Sequence, residues 1–334
     1  MADQSLERDM IAVSAGASIY GTENDDVVDA TQTVAGQLLP SQSDDTIFGR
    51  GGRDILNGLG GNDRIHGGSG NDLLIGGRGA DILRGNGGQD VVSYASARAG
   101  VGLSFSDLDG NGIGGLFADQ TKGGFQGDAA GDSFESIEVV IGSRFADAIG
   151  GGTGKMKFFL GAGDDAFDTS YFVDAIDEVH GQSGSDDIWG GFGADRLFGD
   201  EGNDLIFGED GDDFISGGKG IDDLWGGNGK DVFVLLKQTS SYDVIEDFEV
   251  GIDSLQISAK QFGGGLKPRV ELKAGQFEIN DTGFATGSNV RFILNSSSGE
   301  LSFDPDGNGP QASQVVVVFN WTVPTLGIDD FVII

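Results

Sequence analysis

The sequence predicts an all-β fold, a parallel β-roll (β-helix) built of nonapeptide repeats, and three observations predict it. Aspartate recurs every nine residues, at Asp45, Asp54, Asp63, Asp72, Asp81 and Asp90, and again at Asp186, Asp195, Asp204, Asp213, Asp222 and Asp231. An apolar residue follows two places later, Ile47 to Val92 in the first run and Ile188 to Phe233 in the second. Glycine stands two places before nearly every member of the first run, with Ser43 the exception. A fixed short period of this kind is the mark of a repeat architecture.

Each part of the repeat has a physical task. In Gly67-Gly68-Ser69-Gly70-Asn71-Asp72-Leu73-Leu74-Ile75 the glycines permit a tight six-residue bend. The last three residues make a short strand with its central side chain inward. Two repeats close one coil of 18 residues, so turns on one edge are 18 apart in sequence and roughly 4.8 Å apart in space. Such a coil buries two apolar side chains, too few to offset the entropy of ordering it. A hard cation held by carboxylate and carbonyl oxygens between stacked turns supplies the remainder.

The composition agrees. Among 334 residues there are 61 Gly, and 54 acids against 20 bases leave a net charge of −34. Nucleic acid is therefore excluded as a partner. Calcium is the cation expected, and eight such ions would bring 16 positive charges against the −34. With no Cys there is no disulfide and no thiolate zinc site. No stretch is long and apolar enough to span a membrane, and the start, MADQSLERDM, lacks the basic region of a cleaved secretory signal.

The pattern G-G-x-G-x-D-x-U-x resembles that of the RTX (haemolysin-type calcium-binding) family, whose nonapeptides build a calcium-binding parallel β-helix. The resemblance implies calcium at Asp45, Asp54, Asp63, Asp72, Asp81 and Asp90 in the first roll. In the second it implies calcium at Asp186, Asp195, Asp204, Asp213, Asp222 and Asp231, with a weaker site at Asp147 and Asp165 because Met156 takes the aspartate place between them. Gly67, Gly76, Gly199 and Gly208 would add backbone carbonyls. Two loops, Asp107-Leu108-Asp109 and Asp304-Pro305-Asp306, each continuing Gly-Asn-Gly, resemble half an EF-hand. The glutamate at position twelve is missing, so they are additional metal candidates or plain turns.

The expected organisation is an N-terminal cap with a degenerate repeat over 1–40 and a first roll over 41–93. A β-rich spacer over 94–146 and a second roll over 147–234 follow. A C-terminal cap and secretion-signal region occupies 235–334. The alternating apolar residues of the spacer suggest strands that cover the roll ends. Tyr242-Asp243-Val244-Ile245-Glu246-Asp247-Phe248 resembles the block that closes such arrays. The ending Asp329-Asp330-Phe331-Val332-Ile333-Ile334 is similar to the uncleaved signals of type I secretion, and a terminal strand would look the same. The resemblance thus implies export by the type I secretion apparatus to the extracellular space.

No enzyme is expected. H-E-x-x-H and G-x-S-x-G are absent, and the array begins near residue 20 with no enzyme domain expected ahead of it. The reading is a secreted calcium-binding protein that folds outside the cell and acts as a structural or surface-interaction protein. The alternative is a module binding an extracellular glycan or a host cell surface through an aromatic face. A polysaccharide-active enzyme working with carboxylates is a third reading. Trp189, Phe207 and Trp225 follow the inward position on alternate strands, so they should stack as an aromatic ladder, either open or covered by residues 235–334. The matching column Phe48, His66, Arg84 reads as mixed and solvated.

Overall fold

A computed structural model describes residues 16–105, 114–115, 127–152, 154–169, 175–238, 241–320 and 324–334. Three-residue apolar runs flanked by glycine turns stack as parallel strands in register, so equivalent positions of successive coils lie side by side. Thr46–Gly51 pairs with Arg64–Ser69, and that strand with Ile82–Gly87, bringing Ile47, Ile65 and Leu83 into one column. All three are fully buried, as are Leu56, Leu74 and Val92 opposite. Period-two alternation thus puts one side chain per strand into a continuous core.

One 12-stranded sheet runs the length of the stack, from Val27–Val28 to Phe331–Ile333. The opposite face is divided between a 6-stranded and an 11-stranded sheet. The fold class is therefore as the period predicts: all-β, largely parallel, a solenoid of stacked repeats.

The residues between the two arrays do something different from covering roll ends. Ser133–Glu135 continues the first array beside Ile82–Gly87. Val139–Ile141 pairs in parallel with Val91–Ser93 on one side and Lys157–Ala162 on the other. Phe134 and Val140 fill the two inward positions and are buried. The insert is thus a coil of the stack, and its strands join the arrays into one solenoid.

At the far end, Asp243–Ile245, Ser254–Ile257 and Phe331–Ile333 add further parallel strands. Glu300–Phe303 then pairs antiparallel with both Phe292–Asn295 and Gln314–Phe319. A cluster of Phe262, Phe292, Phe303 and Phe331, with ring centroids 5.0–5.9 Å apart, packs this meander. The last residues, Phe331–Ile333, form a strand against Ser254–Ile257. Among the described residues no helix is long and apolar enough to cross a membrane.

Candidate metal centre

The repeat aspartates form columns along both edges of the solenoid. The backbone N–H of one aspartate donates to Oδ1 of the next in its column: Asp45 to Asp63 at 2.7 Å, Asp54 to Asp72 at 2.9 Å, Asp63 to Asp81 at 2.8 Å and Asp72 to Asp90 at 2.9 Å. The second array repeats this from Asp186 to Asp204 to Asp222, and from Asp195 to Asp213 to Asp231, at 2.8–2.9 Å. Each of these side chains is at most 2% exposed.

In all of these carboxylates but Asp45, one oxygen is spoken for and the other is not. In Asp54, Asp63, Asp72, Asp81, Asp90, Asp165, Asp186, Asp195, Asp204, Asp213, Asp222 and Asp231, Oδ2 is buried without a hydrogen-bond partner. Buried polar atoms are rarely left so, because the desolvation cost is large. Here the same atom is orphaned coil after coil.

The orphaned oxygens share a small gap with carbonyls. A methyl placed on Gly49 would lie 2.2 Å from Asp54 Oδ2 and 2.4 Å from the carbonyl oxygen of Gly67. The same construction at Gly58 finds Asp63 Oδ2 and the Gly76 oxygen, and at Gly181 it finds Asp186 Oδ2 and the Gly199 oxygen. At Gly190 it finds the Gly208 oxygen at 2.9 Å and Asp195 Oδ2 at 3.0 Å. Carboxylate and carbonyl oxygens thus converge with no donor between them, the ligand chemistry of a hard cation. Among the described residues no three His, Cys, Asp or Glu side chains converge, so carbonyls must supply the balance of any coordination shell.

The electrostatics point the same way. Burial first, and neighbouring carboxylates after it, push Asp63 and Asp204 up to about 7 and Asp213 up to about 8. Asp243 follows Asp222 in its column, and burial together with the Asp222 carboxyl pushes it up to about 9. A divalent ion would reverse the sign of that field and favour the ionised forms.

Not every expected ligand has this form. Asp45 Oδ2 accepts from the Ser41 N–H at 2.7 Å, and its Oδ1 accepts from the Ala17 N–H. Asp147 Oδ2 accepts from the Ser143 N–H at 2.5 Å. Asp165 receives the Asp147 N–H at 2.7 Å and hands its own to Asp186, a step of 21 residues. Asp306 Oδ1 is buried without a partner beside Asp304, whose Oδ1 accepts the Asp306 N–H at 3.1 Å. Asp107 and Asp109 lie outside the described residues.

The columns also contain members the period did not reveal. Asp177 accepts from the Met156 N–H at 3.0 Å and donates to Asp195 at 2.7 Å, with its Oδ2 orphaned. It stands nine before Asp186 with Val179 two places on, a usable signal, but Ala175 occupies the glycine place. In the insert Asp132 takes the Asp81 N–H at 2.8 Å, and its Oδ2 accepts the Tyr94 hydroxyl at 2.6 Å. Glu138 takes the Asp90 N–H at 2.8 Å. Glu138 stands nine before Asp147 with Val140 two places on, a signal hidden by Glu in the aspartate place, whereas Asp132 is out of phase with the first array.

The outward columns carry three aromatic ladders. Trp189, Phe207 and Trp225 stack with centroids 5.5 and 4.4 Å apart and planes within 24°. All three are half-buried, and the strands after residue 235 extend this sheet edge to edge. Tyr20, Phe48 and His66 stack likewise at 5.3 and 4.8 Å, in a column that continues to the half-exposed Arg84. Phe159, His180 and Phe198 form the third, at 5.0 and 4.6 Å. Asp200 and Glu178 hold the two ring nitrogens of His180, and the Asp200 contact foremost raises its pKa. Rings stacked on one another expose edges and keep their faces inside the ladder. Stacked in this way, the rings add packing contact between successive coils.

The model of the RTX calcium-binding nonapeptide repeat matches the chain in four copies, over residues 41–74, 66–96, 174–206 and 207–235. No curated protein matches it. The matched segments are coils whose turns hold most of the orphaned carboxylates. Over these segments the chain is similar to RTX calcium-binding nonapeptide repeats, and the fold that carries them is a β-solenoid.

Proposed function

We propose that this protein is exported by a type I apparatus, folds on calcium outside the cell, and serves there as a structural or surface-interaction scaffold. The observation that carries the reading is the ladder of buried, unpartnered Oδ2 atoms facing carbonyl oxygens. Calcium is the ion that suits it: all ligands are oxygen, and flexible coordination by carbonyls and carboxylates is its habit. Asp54, Asp63, Asp72, Asp81, Asp90, Asp165, Asp186, Asp195, Asp204, Asp213, Asp222 and Asp231 would supply the carboxylates, and Gly67, Gly76, Gly199 and Gly208 carbonyls. External calcium concentrations suit sites of this kind, and a chain without calcium would be loose enough to thread a channel.

A methyl in the gap tests the site. At Gly199 it would sit 2.2 Å from Asp204 Oδ2 and 2.5 Å from the Gly217 oxygen. Gly199→Ala should therefore lower the number of calcium ions bound at saturation, counted by native mass spectrometry. Gly275→Ala, where nothing lies within 4 Å, should leave the number unchanged. Equal counts in the two variants would contradict the assignment.

Export has its own test. With a type I apparatus present, the full chain should reach the medium, and a chain lacking Phe331 to Ile334 should stay inside. Calcium binding by the purified truncated chain should persist. Undiminished export of the truncated chain would remove these residues from the signal.

A further inference from the structure

The turns of this solenoid come in two states, and the residue four places before the column aspartate separates them. In twelve turns, from Arg50 ahead of Asp54 to Gly227 ahead of Asp231, that residue has φ between +69° and +123°. In all twelve, Oδ2 of the aspartate is orphaned. In four others the residue is Thr22, Ser41, Ser143 or Glu249, none with positive φ. There its own N–H donates to Oδ2 of Asp26, Asp45, Asp147 or Asp253, at 2.5–2.7 Å. None of these sixteen turns mixes the two; the residues four before Asp177 and Asp243 lie outside the described residues, and Asp132 is closed by the Tyr94 hydroxyl instead.

We propose that this residue decides whether a turn takes a calcium ion, and that Asp45 and Asp147, although in the columns, bind none. The inference rests on the calcium reading above. An N–H pointed at Oδ2 places a partial positive charge where the cation would lie. A left-handed residue turns its peptide plane so that the N–H points elsewhere. Ser143 locks the closed state further: its hydroxyl bonds to Asp147 Oδ1 at 2.7 Å and accepts from the Phe145 N–H at 3.0 Å. Thr22 accepts the Asn24 N–H and Ser41 the Ser43 N–H in the same way, each at 3.1 Å. The rest of the Asp147 slot is intact. A methyl at Gly142 would meet the Leu160 carbonyl oxygen at 2.0 Å and Asp147 Oδ2 at 2.6 Å. What it lacks is a free oxygen.

The closed turns have a pattern. Two lie at the start of the stack, one at its far end at Asp253, and one at the insert, where Tyr94 closes Asp132 as well. The open turns are thereby split into five, ending at Asp90, and seven, beginning at Asp165. On this rule the joint between the arrays carries no calcium and is held by hydrogen bonds and by the buried Phe134 and Val140.

Ser143→Gly tests the rule, because glycine removes the hydroxyl lock and reaches the left-handed region without strain. With calcium as the only added ion, native mass spectrometry of the full chain should show one more ion bound than in the wild type. Ser143→Ala should bind the wild-type number, since it loses the hydroxyl but keeps the disfavour of positive φ. Ser143→Asn, the residue type that stands left-handed at Asn86 ahead of Asp90, should again add one ion, and it carries the test if the first variant fails to fold. Glycine and asparagine variants both at the wild-type number would overturn the rule while leaving the calcium reading intact. A wild-type chain that binds no calcium would overturn both.

Discussion

Withdrawing calcium should unfold most of this molecule. In millimolar calcium, circular dichroism of the full chain should show β structure; in excess chelator most of that signal should be lost. X-ray scattering should record the change in size. A compact chain of this length has a radius of gyration of about 20 Å, with an elongated solenoid somewhat above that, whereas the unfolded chain approaches about 65 Å. The cause lies in the coil. Each closes with 18 residues but buries two inward side chains, such as Ile65 and Leu74. Its column carboxylates sit about one strand spacing from like charges above and below. With a net charge of −34 the metal-free stack has little to hold it and much to push it apart. Calcium binds the folded turn and finds no such site in the open chain, so its binding free energy becomes folding free energy. Unchanged β signal and unchanged radius in chelator would show that the apolar column alone suffices.

What the sequence made legible was whatever a fixed spacing repeats. Aspartate, the apolar residue two places on and the glycines recur at nine because every coil imposes the same bend and the same inward position. The stack and most column members follow from that. Glu138 stands in phase nine before Asp147, but it carries Glu where the repeat has Asp. Asp132 was not legible, because it reaches its column through a 51-residue step that no period shows. Tyr20 escaped the first ladder for the same reason, standing 28 residues ahead of Phe48. The closed turns were hidden differently. Thr22, Ser41 and Ser143 are visible in the sequence, but a hydroxyl residue before an aspartate reads as any turn. The direction of one N–H gives them meaning, and that is set by a backbone angle. Phase therefore over-assigned ligands at Asp45 and Asp147 on the proposed rule, and under-assigned the column at Asp177.

Acid should do for the calcium-free chain what it does for few proteins: stabilise the fold. The column carboxyls are pushed up chiefly by burial, to about 6 at Asp54 and Asp81, about 7 at Asp165, Asp186 and Asp195, and about 8 at Asp213. In an unfolded chain the same groups titrate near 3.9. Between those values the folded state binds more protons than the unfolded one, so stability falls as pH rises across the interval. The contribution of these groups is fully present below about pH 4 and is lost as pH climbs through 6 to 8, the reverse of the usual carboxylate case. A protein held in chelator should accordingly show more β structure at pH 5 than at pH 8, a pH chosen to stay above the isoelectric point near 4.1. With calcium present the dependence should invert. The ion requires ionised oxygens, so protons compete with it, and the calcium concentration at half-folding should rise as pH is lowered from 8 to 5. Both trends have one origin, a cavity that tolerates a carboxylate only when something positive, a proton or a metal ion, stands beside Oδ2. A chelated chain no more ordered at pH 5 than at pH 8 would show that the columns do not control the fold.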